Sequence, residues 1–507
     1  MRNKTFFSFL IFTSFCSVSL SQTLQSERYE TLIQDGEKEP YKVVSAREQG
    51  ILLYRKLTQT KENTLELVRV DTALTEVWRG YVQLNSDEVV LFSYVKQDFL
   101  YLLIKSKYNV LGDFLIVELK IETGSYNLYT AKNLIPFTPT VFVITNGAAL
   151  IGGYFNYRPL ILHFNFKFLQ SKILPGFFNE PGELTQLKPN EDGSVDVIVS
   201  AKNYNKQKGL WIRNYSADGS LVKTTILQPE ENKNLIFGRS LKMPTGEQVV
   251  SGVYGRYDEY SRGIFVASIN VLGEYAIKYY SFAELEHFFN YMKARREKRI
   301  KEKIERRRIK GKKIKFNYRI LVQELIPYGD QYILLGEAFY PHYTYARSYA
   351  PYSSNYNTRS YNIPMSRSDL IFDGFQYTHA VVIGFDKNGK LIWDNSFQIN
   401  DVKTYELEQF VKIYPQEKSI SLLYLFENEI RNKIIRDSDV LEGKTFDMKM
   451  KYKDDQVKDK ETETSKLDYW YGHHFFAYGV QQVHNLREPG VQSTRKVFFV
   501  NKITINK

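Results

Sequence analysis

Short runs of apolar, β-branched and aromatic residues recur along the whole chain, and turn residues separate them. Examples are VVLFSYV (89–95), FLYLLIKS (99–106) and SISLLYLFE (419–427). Such runs are typical of β-strands. Tyr and Phe, with 38 and 34 residues, bring the aromatic content with Trp to 15%. The pattern predicts an all-β protein.

One hairpin pattern repeats. Its clearest copy, HAVVIGFDKNGKLIWDNSF (379–397), turns through Lys387-Asn388-Gly389, where Asn-Gly favours the positive φ angles of a tight hairpin. Related segments lie at 66–80, 116–130, 160–174, 210–227 and 265–282. The equivalent turn positions are spaced by 51, 43, 53, 52 and 116 residues, and they are Asp71, Glu122, Asn165, Asp218, Asn270 and Asp386.

A second strand pair precedes most of these hairpins, as at 187–201, 241–254 and 325–339. Two hairpins in each period of about 50 residues give one four-stranded sheet per repeat, which is the pattern of a β-propeller blade. A single blade cannot bury both of its faces, so blades must stack and close into a ring. Six blades carry this pattern, and residues 405–507 are interpreted as one more. We therefore predict a β-propeller over residues 22–507 with seven blades of four antiparallel strands.

Two of the hairpins carry a family resemblance. The motifs D-x-N-G-x-x-x-W at Asp386–Trp393 and V-D-x-x-L-x-x-x-W at 70–78 resemble blades of secreted WD40- or PQQ-like propeller proteins. The Tyr-rich strands and the Leu20-Ser21-Gln22 sequence are similar to those of envelope proteins from bacteria that use the type IX secretion system. This resemblance implies a periplasmic accessory or cap subunit of a secretion translocon. Because the chain lacks a complete PQQ-binding motif, we expect no cofactor.

The first 21 residues have the pattern of a secretory signal peptide. Arg2 and Lys4 precede an apolar core from Phe6 to Phe15, and Ser19 and Ser21 supply small residues before a cleavage point. The only cysteine, Cys16, would be removed with this segment, which excludes disulfides and thiolate chemistry in the mature chain. We expect an exported protein of the periplasm or the periplasmic face of the outer membrane, with the cell surface as the alternative.

Positive charge is concentrated in one segment. The chain carries +12, of which +11 lies in KARREKRIKEKIERRRIKGKKIK (293–315) and +2 in the first 21 residues, so the remainder sums to −1. A high pI confined to one segment does not indicate nucleic-acid binding, and we expect no nucleic-acid partner. Residues 282–315 are predicted to form one long basic helix of about 43 Å. A capping box at Ser281 and Glu284 would begin it, and Gly311 would end it.

This basic helix is predicted to bind an anionic partner, either an acidic protein surface or an anionic lipid or lipopolysaccharide. A solvated helix that serves only solubility is the alternative. Apolar residues at helical spacing, from Phe282 to Met292, would fix its first half to the propeller. The predicted partner-binding residues are Arg295, Arg296, Arg299, Lys303, Arg306, Arg307 and Lys310.

Two further insertions interrupt the repeats. Residues 339–376 are rich in Tyr and poor in aliphatic side chains, a composition suited to a protein interface or to sugar stacking, unless the segment is a long disordered loop. Residues 436–470 are predicted to form a charged, flexible loop. The aromatic residues predicted to bind a partner are Tyr340, Tyr343, Tyr345, Tyr349, Tyr352, Tyr356 and Tyr361.

Catalytic motifs give no positive signal. The sequence contains no G-x-S-x-G, P-loop or G-x-G-x-x-G motif, and its seven histidines lack H-E-x-x-H or H-x-H spacing. We name no catalytic, cofactor-binding or metal-binding residue.

The favoured hypothesis is a non-catalytic scaffold of the cell envelope that docks to an outer-membrane protein assembly. The alternative is a carbohydrate-active or glycan-binding propeller, which would need buried carboxylates that converge on the axis of the ring.

Overall fold

The computed structural model describes residues 23–33, 40–57, 63–176, 181–243, 245–257, 259–312, 314–345, 370–400, 402–458 and 465–505. The predicted signal peptide lies outside the described residues. The described strands form eight antiparallel sheets, which we number as blades 1 to 8. In each of blades 1 to 7, four consecutive strands pair in chain order and are named A, B, C and D.

Strand β1 (Thr23–Leu32) belongs to blade 8, and the following strands build blades 1 to 5 in order. Blade 1 contains β2 (Lys42–Ser45), β3 (Ile51–Leu57), β4 (Thr64–Val70) and β5 (Glu76–Gln83). Blade 2 contains β6 (Glu88–Lys96), β7 (Phe99–Ser106), β8 (Phe114–Lys120) and β9 (Tyr126–Ala131). Blade 3 contains β10 (Thr138–Ile144), β11 (Ala148–Phe155), β12 (Arg158–Asn165) and β13 (Gln170–Ile173). Blade 4 contains β14 (Gly182–Pro189), β15 (Val195–Lys202), β16 (Lys208–Tyr215) and β17 (Leu221–Leu227). Blade 5 contains β18 (Asn234–Lys242), β19 (Gln248–Gly255), β20 (Ser261–Ile269) and β21 (Tyr275–Ser281).

Helix α1 (Ala294–Ile309) separates these blades from the last three. Blade 6 contains β22 (Arg319–Tyr328), β23 (Gln331–Tyr345), β24 (Leu370–Asp386) and β25 (Leu391–Gln398), with the short β26 (Lys403–Thr404) paired to β24. Blade 7 contains β27 (Lys412–Pro415), β28 (Ile420–Phe426), β29 (Glu429–Arg436) and β30 (Asp439–Asp447). Blade 8 contains β31 (Gln456–Val457), β32 (Lys466–Tyr471), β33 (His474–His484) and β34 (Thr494–Ile505), with β1 beside β34.

The apolar core consists of eight clusters, and each cluster joins two neighbouring blades. Leu52 of blade 1 and Leu102 of blade 2 share one cluster, and the series continues pairwise around the chain. The final cluster brings Trp470 and Phe498 of blade 8 against Leu53 of blade 1. Eight interfaces between eight sheets make a closed ring, so both faces of every blade are covered.

The prediction of seven blades is wrong, because residues 405–507 contribute to two sheets. The outer hairpin of blade 7, β29–β30, turns at Asp437 with φ +50° and is rich in charge, so the sequence pattern assigned it to a flexible loop. Residues 439–447 of the predicted charged insertion 436–470 are therefore a strand. Blade 8 takes the strand beside β34 from the other end of the described chain, since β1 pairs with β34 from Thr23↔Ile505 to Leu32↔Val497.

The repeated hairpins are confirmed as the C–D hairpins of blades 1 to 6. Their recurring Asp or Asn has a common structural role at the turn. The Asp386 carboxylate accepts hydrogen bonds from the backbone N–H of Asn388 and Lys390, at 2.9 and 2.7 Å. Asp71 and Asn165 accept equivalent bonds in blades 1 and 3. These side chains satisfy turn amides, which explains why the residue type recurs.

The predicted long helix is also wrong in extent, because α1 covers only Ala294–Ile309. The carboxylate of Asp394 accepts hydrogen bonds from the backbone N–H of Glu286 and His287, at 2.9 and 2.8 Å, so these amides do not join a helical ladder. Residues 282–292 form turns instead. The predicted end is confirmed: Gly311 has φ +63°, and the N–H of Lys312 bonds to the carbonyl of Arg307 at 2.9 Å, as in a Schellman motif.

Candidate interaction face

The inserted segments leave the ring on the same face. Within an antiparallel blade the start of strand A, the B–C turn and the end of strand D lie at one edge. Residues 282–318, which we call the basic insertion, join strand D of blade 5 to strand A of blade 6. Strands B and C of blade 6 extend towards this edge at Tyr345 and Leu370, and residues 448–458 follow strand D of blade 7 from the same edge. We name this edge of the ring the upper face and the opposite edge the lower face.

The first part of the basic insertion is fixed to the ring by four buried side chains. Phe282, Leu285, Phe288 and Phe289, which we call the anchor residues, are at most 3% exposed within the core cluster of blades 5 and 6. The rings of Phe282 and Phe288 stack with centroids 4.6 Å apart. The sequence prediction that these apolar residues attach the insertion to the propeller is confirmed, although their backbone is not helical.

Blade 6 holds the insertion through a second set of contacts. The ring of Tyr291 stacks on the imidazole of His379 with centroids 3.7 Å apart and an interplanar angle of 4°. The hydroxyl groups of Tyr291 and Tyr318 lie 3.2 Å apart. Burial of His379 lowers its pKa to about 3, so the ring stays neutral. Sequence reasoning missed Asp394, Tyr291 and His379, because their roles depend on contacts between segments about 90 to 110 residues apart.

Helix α1 lies along the ring and does not project from it. Ile300 and Ile304 are partly buried against the cluster of blades 5 and 6. Lys301 bonds to the Asn290 amide oxygen at 3.2 Å and to Glu297 at 2.8 Å, which forms the i,i+4 pair expected on a helix. These contacts turn the apolar stripe of the helix inward and its cationic side outward.

All seven basic residues predicted to bind a partner are exposed. Six lie on α1 and Lys310 follows it directly. Within the described part of the chain none of the seven forms an ion pair, and the Arg306 guanidinium bonds to the carbonyl oxygen of Glu302 at 3.2 Å. A fixed cluster of unneutralised cations produces a strong local positive potential.

The aromatic segment is a strand hairpin that extends beyond the blade. Strands β23 and β24 remain paired out to Tyr345↔Leu370. Tyr340 and Tyr343 are 47% and 51% exposed, and the ring of Tyr343 contacts that of Phe372 with centroids 5.9 Å apart. We call residues 339–345 and 370–377 the aromatic hairpin. Four predicted partner-binding residues lie outside the described residues: Tyr349, Tyr352, Tyr356 and Tyr361.

An ionic brace holds the base of this hairpin. The carboxylate of Asp373 lies 3.0 Å from the Lys403 ammonium and 3.0 Å from Nδ1 of His342. The amide of Gln376 donates to the carbonyl of Val402 at 2.8 Å. These bonds tie the hairpin to residues 402–404, so its exposed aromatic rings stand on an ordered base.

Buried carboxylates are engaged in structural hydrogen bonds and ion pairs. Glu66 binds the guanidinium groups of Arg55 and Arg79 in blade 1. Asp455, which directly precedes β31, and Glu30 of β1 meet at Arg495 of β34 in blade 8. In both cases the carboxylates pair with arginines of their own blade.

Three local features of the described residues concern metal ligands and apolar helices. They contain no cluster of three or more His, Cys, Asp or Glu side chains able to hold a metal ion. Residues 190–194 form the hairpin turn between β14 and β15, where the Asp192 carboxylate accepts the N–H of Ser194 and pairs with Lys242 at 3.0 Å. Among the described helical residues, none form a helix long and apolar enough to span a membrane.

No protein-family model and no curated protein matches this chain. Solved structures provide weak similarities. Polysaccharide lyase Uly1 has a TM-score of 0.41 at 9% identity, over 81% of this chain and 89% of the lyase. A PL25 ulvan lyase gives 0.39 at 9% identity, over 82% and 91%. The β-propeller domain of the Trilobed protease from Pyrococcus furiosus gives 0.37 at 9% identity, over 81% and 98%. Such scores carry no argument about function, and the propeller assignment rests on the eight-sheet topology.

Proposed function

We propose that this protein is a non-catalytic β-propeller scaffold of the bacterial cell envelope, and that its upper face docks an acidic surface of a larger protein assembly at the outer membrane. A secretion translocon is the specific assembly we propose, with this chain as a periplasmic accessory or cap subunit. The observation that carries the docking proposal is the set of exposed cations on α1 that form no ion pair with a described residue, held on a rigid base by the anchor residues. The envelope location rests on the signal-peptide pattern and on the family resemblance.

A protein partner fits this surface better than a membrane does. Helices that bind membranes insert an apolar face into the lipid, whereas Ile300 and Ile304 of α1 are committed to the ring. Of the isoleucines on the helix only Ile309 is highly exposed, at 76%. The outward surface is therefore cationic, and its attraction to an acidic partner is electrostatic.

The aromatic hairpin supplies the second component of an interface. Tyr340, Tyr343, Ile371 and Phe372 are exposed by 40–56% at the same face as the basic insertion. Tyr and Phe side chains are enriched in the buried centres of protein interfaces, while charged side chains set orientation and association rate. A cationic helix beside an aromatic hairpin therefore provides both steering and contact area.

The test is a mild-detergent pull-down of the tagged protein from its native envelope, with partners identified by mass spectrometry. The test variant reverses three exposed charges on α1: Arg295→Glu, Arg299→Glu and Arg306→Glu. The matched control reverses three exposed lysines in turns of the lower face: Lys167→Glu, Lys390→Glu and Lys418→Glu. Both variants change the net charge equally, so only the position differs.

We expect the wild type and the control to recover the same outer-membrane protein in stoichiometric amount, and the α1 variant to lose most of it. Salt should weaken the complex, because counterions screen exposed charges over about 8 Å at physiological ionic strength. Equal recovery by all three proteins, or equal loss in both variants, would contradict docking through α1. Deletion of residues 293–315 should release the partner while near-UV circular dichroism still reports a folded ring.

A further inference from the structure

A cavity of about 540 Å³ lies between the C-terminal part of α1 and the upper edge of blade 5. One wall consists of the B–C and D–A edges of blade 5, with Tyr254 and Arg262. The other wall is formed by Ile304 and Arg308 of α1 and by the chain that follows the helix. This volume lies in the range of small-molecule sites, about 300–1,000 Å³.

Cations line both walls of this cavity. Lys233 and Arg262 come from the blade, and Arg308, Lys312 and Lys315 come from the basic insertion. Lys233 pairs with Glu230, and Arg308 pairs with Glu305 at 3.3 Å. The other three, Arg262, Lys312 and Lys315, form no ion pair with any residue that the structure describes.

Two acidic side chains also line the cavity, against five cations. The lining includes Glu231 and Glu284, and the Glu284 carboxylate accepts the backbone N–H of Ser281 at 2.5 Å. The last turn of α1 is capped by the Lys312 and Gly311 amides, so the carbonyl groups of Arg307 and Arg308 are already satisfied. The cavity therefore keeps an excess of positive charge.

Apolar and aromatic groups complete the lining. Ile304, Ile314 and Ala283 border the cavity together with the ring of Tyr254, which is 8% exposed. The hydroxyl of Tyr254 makes no hydrogen bond with another described residue. A ligand that fits this lining has an anionic group that accepts several hydrogen bonds, together with a compact apolar or ring portion.

We propose that this cavity binds a phosphate ester, with the phosphate held between Arg262 on one wall and Lys312 and Lys315 on the other. Guanidinium groups bind phosphate oxygens in bidentate fashion, and lysines supply point charge, so cations on opposite walls suit a tetrahedral anion with several acceptor oxygens. The organic part of the ester lies against Ile304, Ile314 and Tyr254. This site is independent of the docking function proposed above, because it uses the inner side of the basic insertion and a wall of blade 5.

The test is isothermal titration of the full mature chain with two probes, glycerol phosphate and monomeric dihexanoylphosphatidylglycerol. Arg262→Glu removes a cavity cation, and Lys298→Glu is the control, since Lys298 is exposed on α1 outside the cavity and its reversal changes the net charge equally. Ala283→Trp fills the cavity without a change of charge. Lys312→Glu is the second cavity variant if Arg262→Glu fails to fold by circular dichroism.

We expect saturable binding of at least one probe with one-to-one stoichiometry. The cavity variants should raise the Kd at least about tenfold, the loss expected for one charge-assisted contact, whereas the control should change it less than about twofold. Tighter binding of the short-chain lipid would assign the site to a lipid headgroup, and equal affinity would assign it to a soluble phosphate ester.

Failure of both probes to saturate at millimolar concentration would overturn the proposal, and so would equal weakening by Lys298→Glu. Ala283→Trp also separates the cavity from the docking surface. It should abolish probe binding and leave the envelope pull-down unchanged, whereas reversal of Arg295, Arg299 and Arg306 should do the opposite.

Discussion

A buried carboxyl between blades 6 and 7 should make stability fall as the pH rises. Glu337 of β23 is fully buried and accepts hydrogen bonds from the backbone N–H groups of Phe410, at 3.0 Å, and Val411, which directly precede strand A of blade 7. Desolvation raises its pKa from 4.5 to about 7, against the opposing effect of these amides and of the Lys412 charge. The carboxyl group therefore holds its proton more tightly in the folded state than in the unfolded state.

The magnitude follows from linkage. Between pH 4.5 and about 7 the unfolded chain binds fewer protons at Glu337 than the folded chain does, so the free energy of unfolding decreases as the pH rises. Each pKa unit corresponds to about 1.36 kcal/mol, and the whole interval amounts to about 3 kcal/mol. This loss of unfolding free energy is absent below pH 4.5 and complete above about pH 7.

The assay is urea unfolding, followed by tryptophan fluorescence at several pH values between about 4 and 8, for the wild type and Glu337→Gln. The amide side chain of this variant cannot ionise, so the difference between the two unfolding free energies should change by about 3 kcal/mol in favour of the variant across this interval. The exposed Glu417→Gln is the control and should follow the wild type within about 0.5 kcal/mol. A difference between wild type and Glu337→Gln that does not vary with pH would refute the reasoning.

Three further predictions concern the anchor residues, the closure of the ring in blade 8 and the signal peptide. Phe288→Ala should cost about 3–5 kcal/mol of local stability and speed hydrogen exchange and trypsin cleavage in the basic insertion, while the exposed Ile309→Ala should do neither. Asp455→Ala leaves the Arg495 guanidinium with a single, longer ion pair, to Glu30 at 3.5 Å, so denaturant unfolding should report a loss of about 3 kcal/mol. Amino-terminal sequencing of the native protein should begin at Gln22, and a start at Met1 would contradict the signal-peptide prediction.

The sequence determined the repeated hairpins of blades 1 to 6 and the position of the charge. Alternating apolar runs and Asx turns are local signals, because a turn aspartate such as Asp386 bonds to amides two and four residues away. For the same reason the end of the basic helix at Gly311 was predictable, since a glycine with positive φ satisfies the last carbonyl groups of its own helix. Net charge needs no fold at all, so the basic segment was visible directly.

Tertiary structure decided the number of blades, the start of the helix and the composition of the upper face. The eighth blade depends on β1 pairing with β34 across nearly the whole chain, and no local pattern specifies such a partner. The helix begins late because Asp394 binds the amides of Glu286 and His287 from 108 and 107 residues away. The basic insertion and the aromatic hairpin share one face because antiparallel strands return each connection to the same edge. These features are set by long-range contacts, whose free energy is gained only when the ring closes.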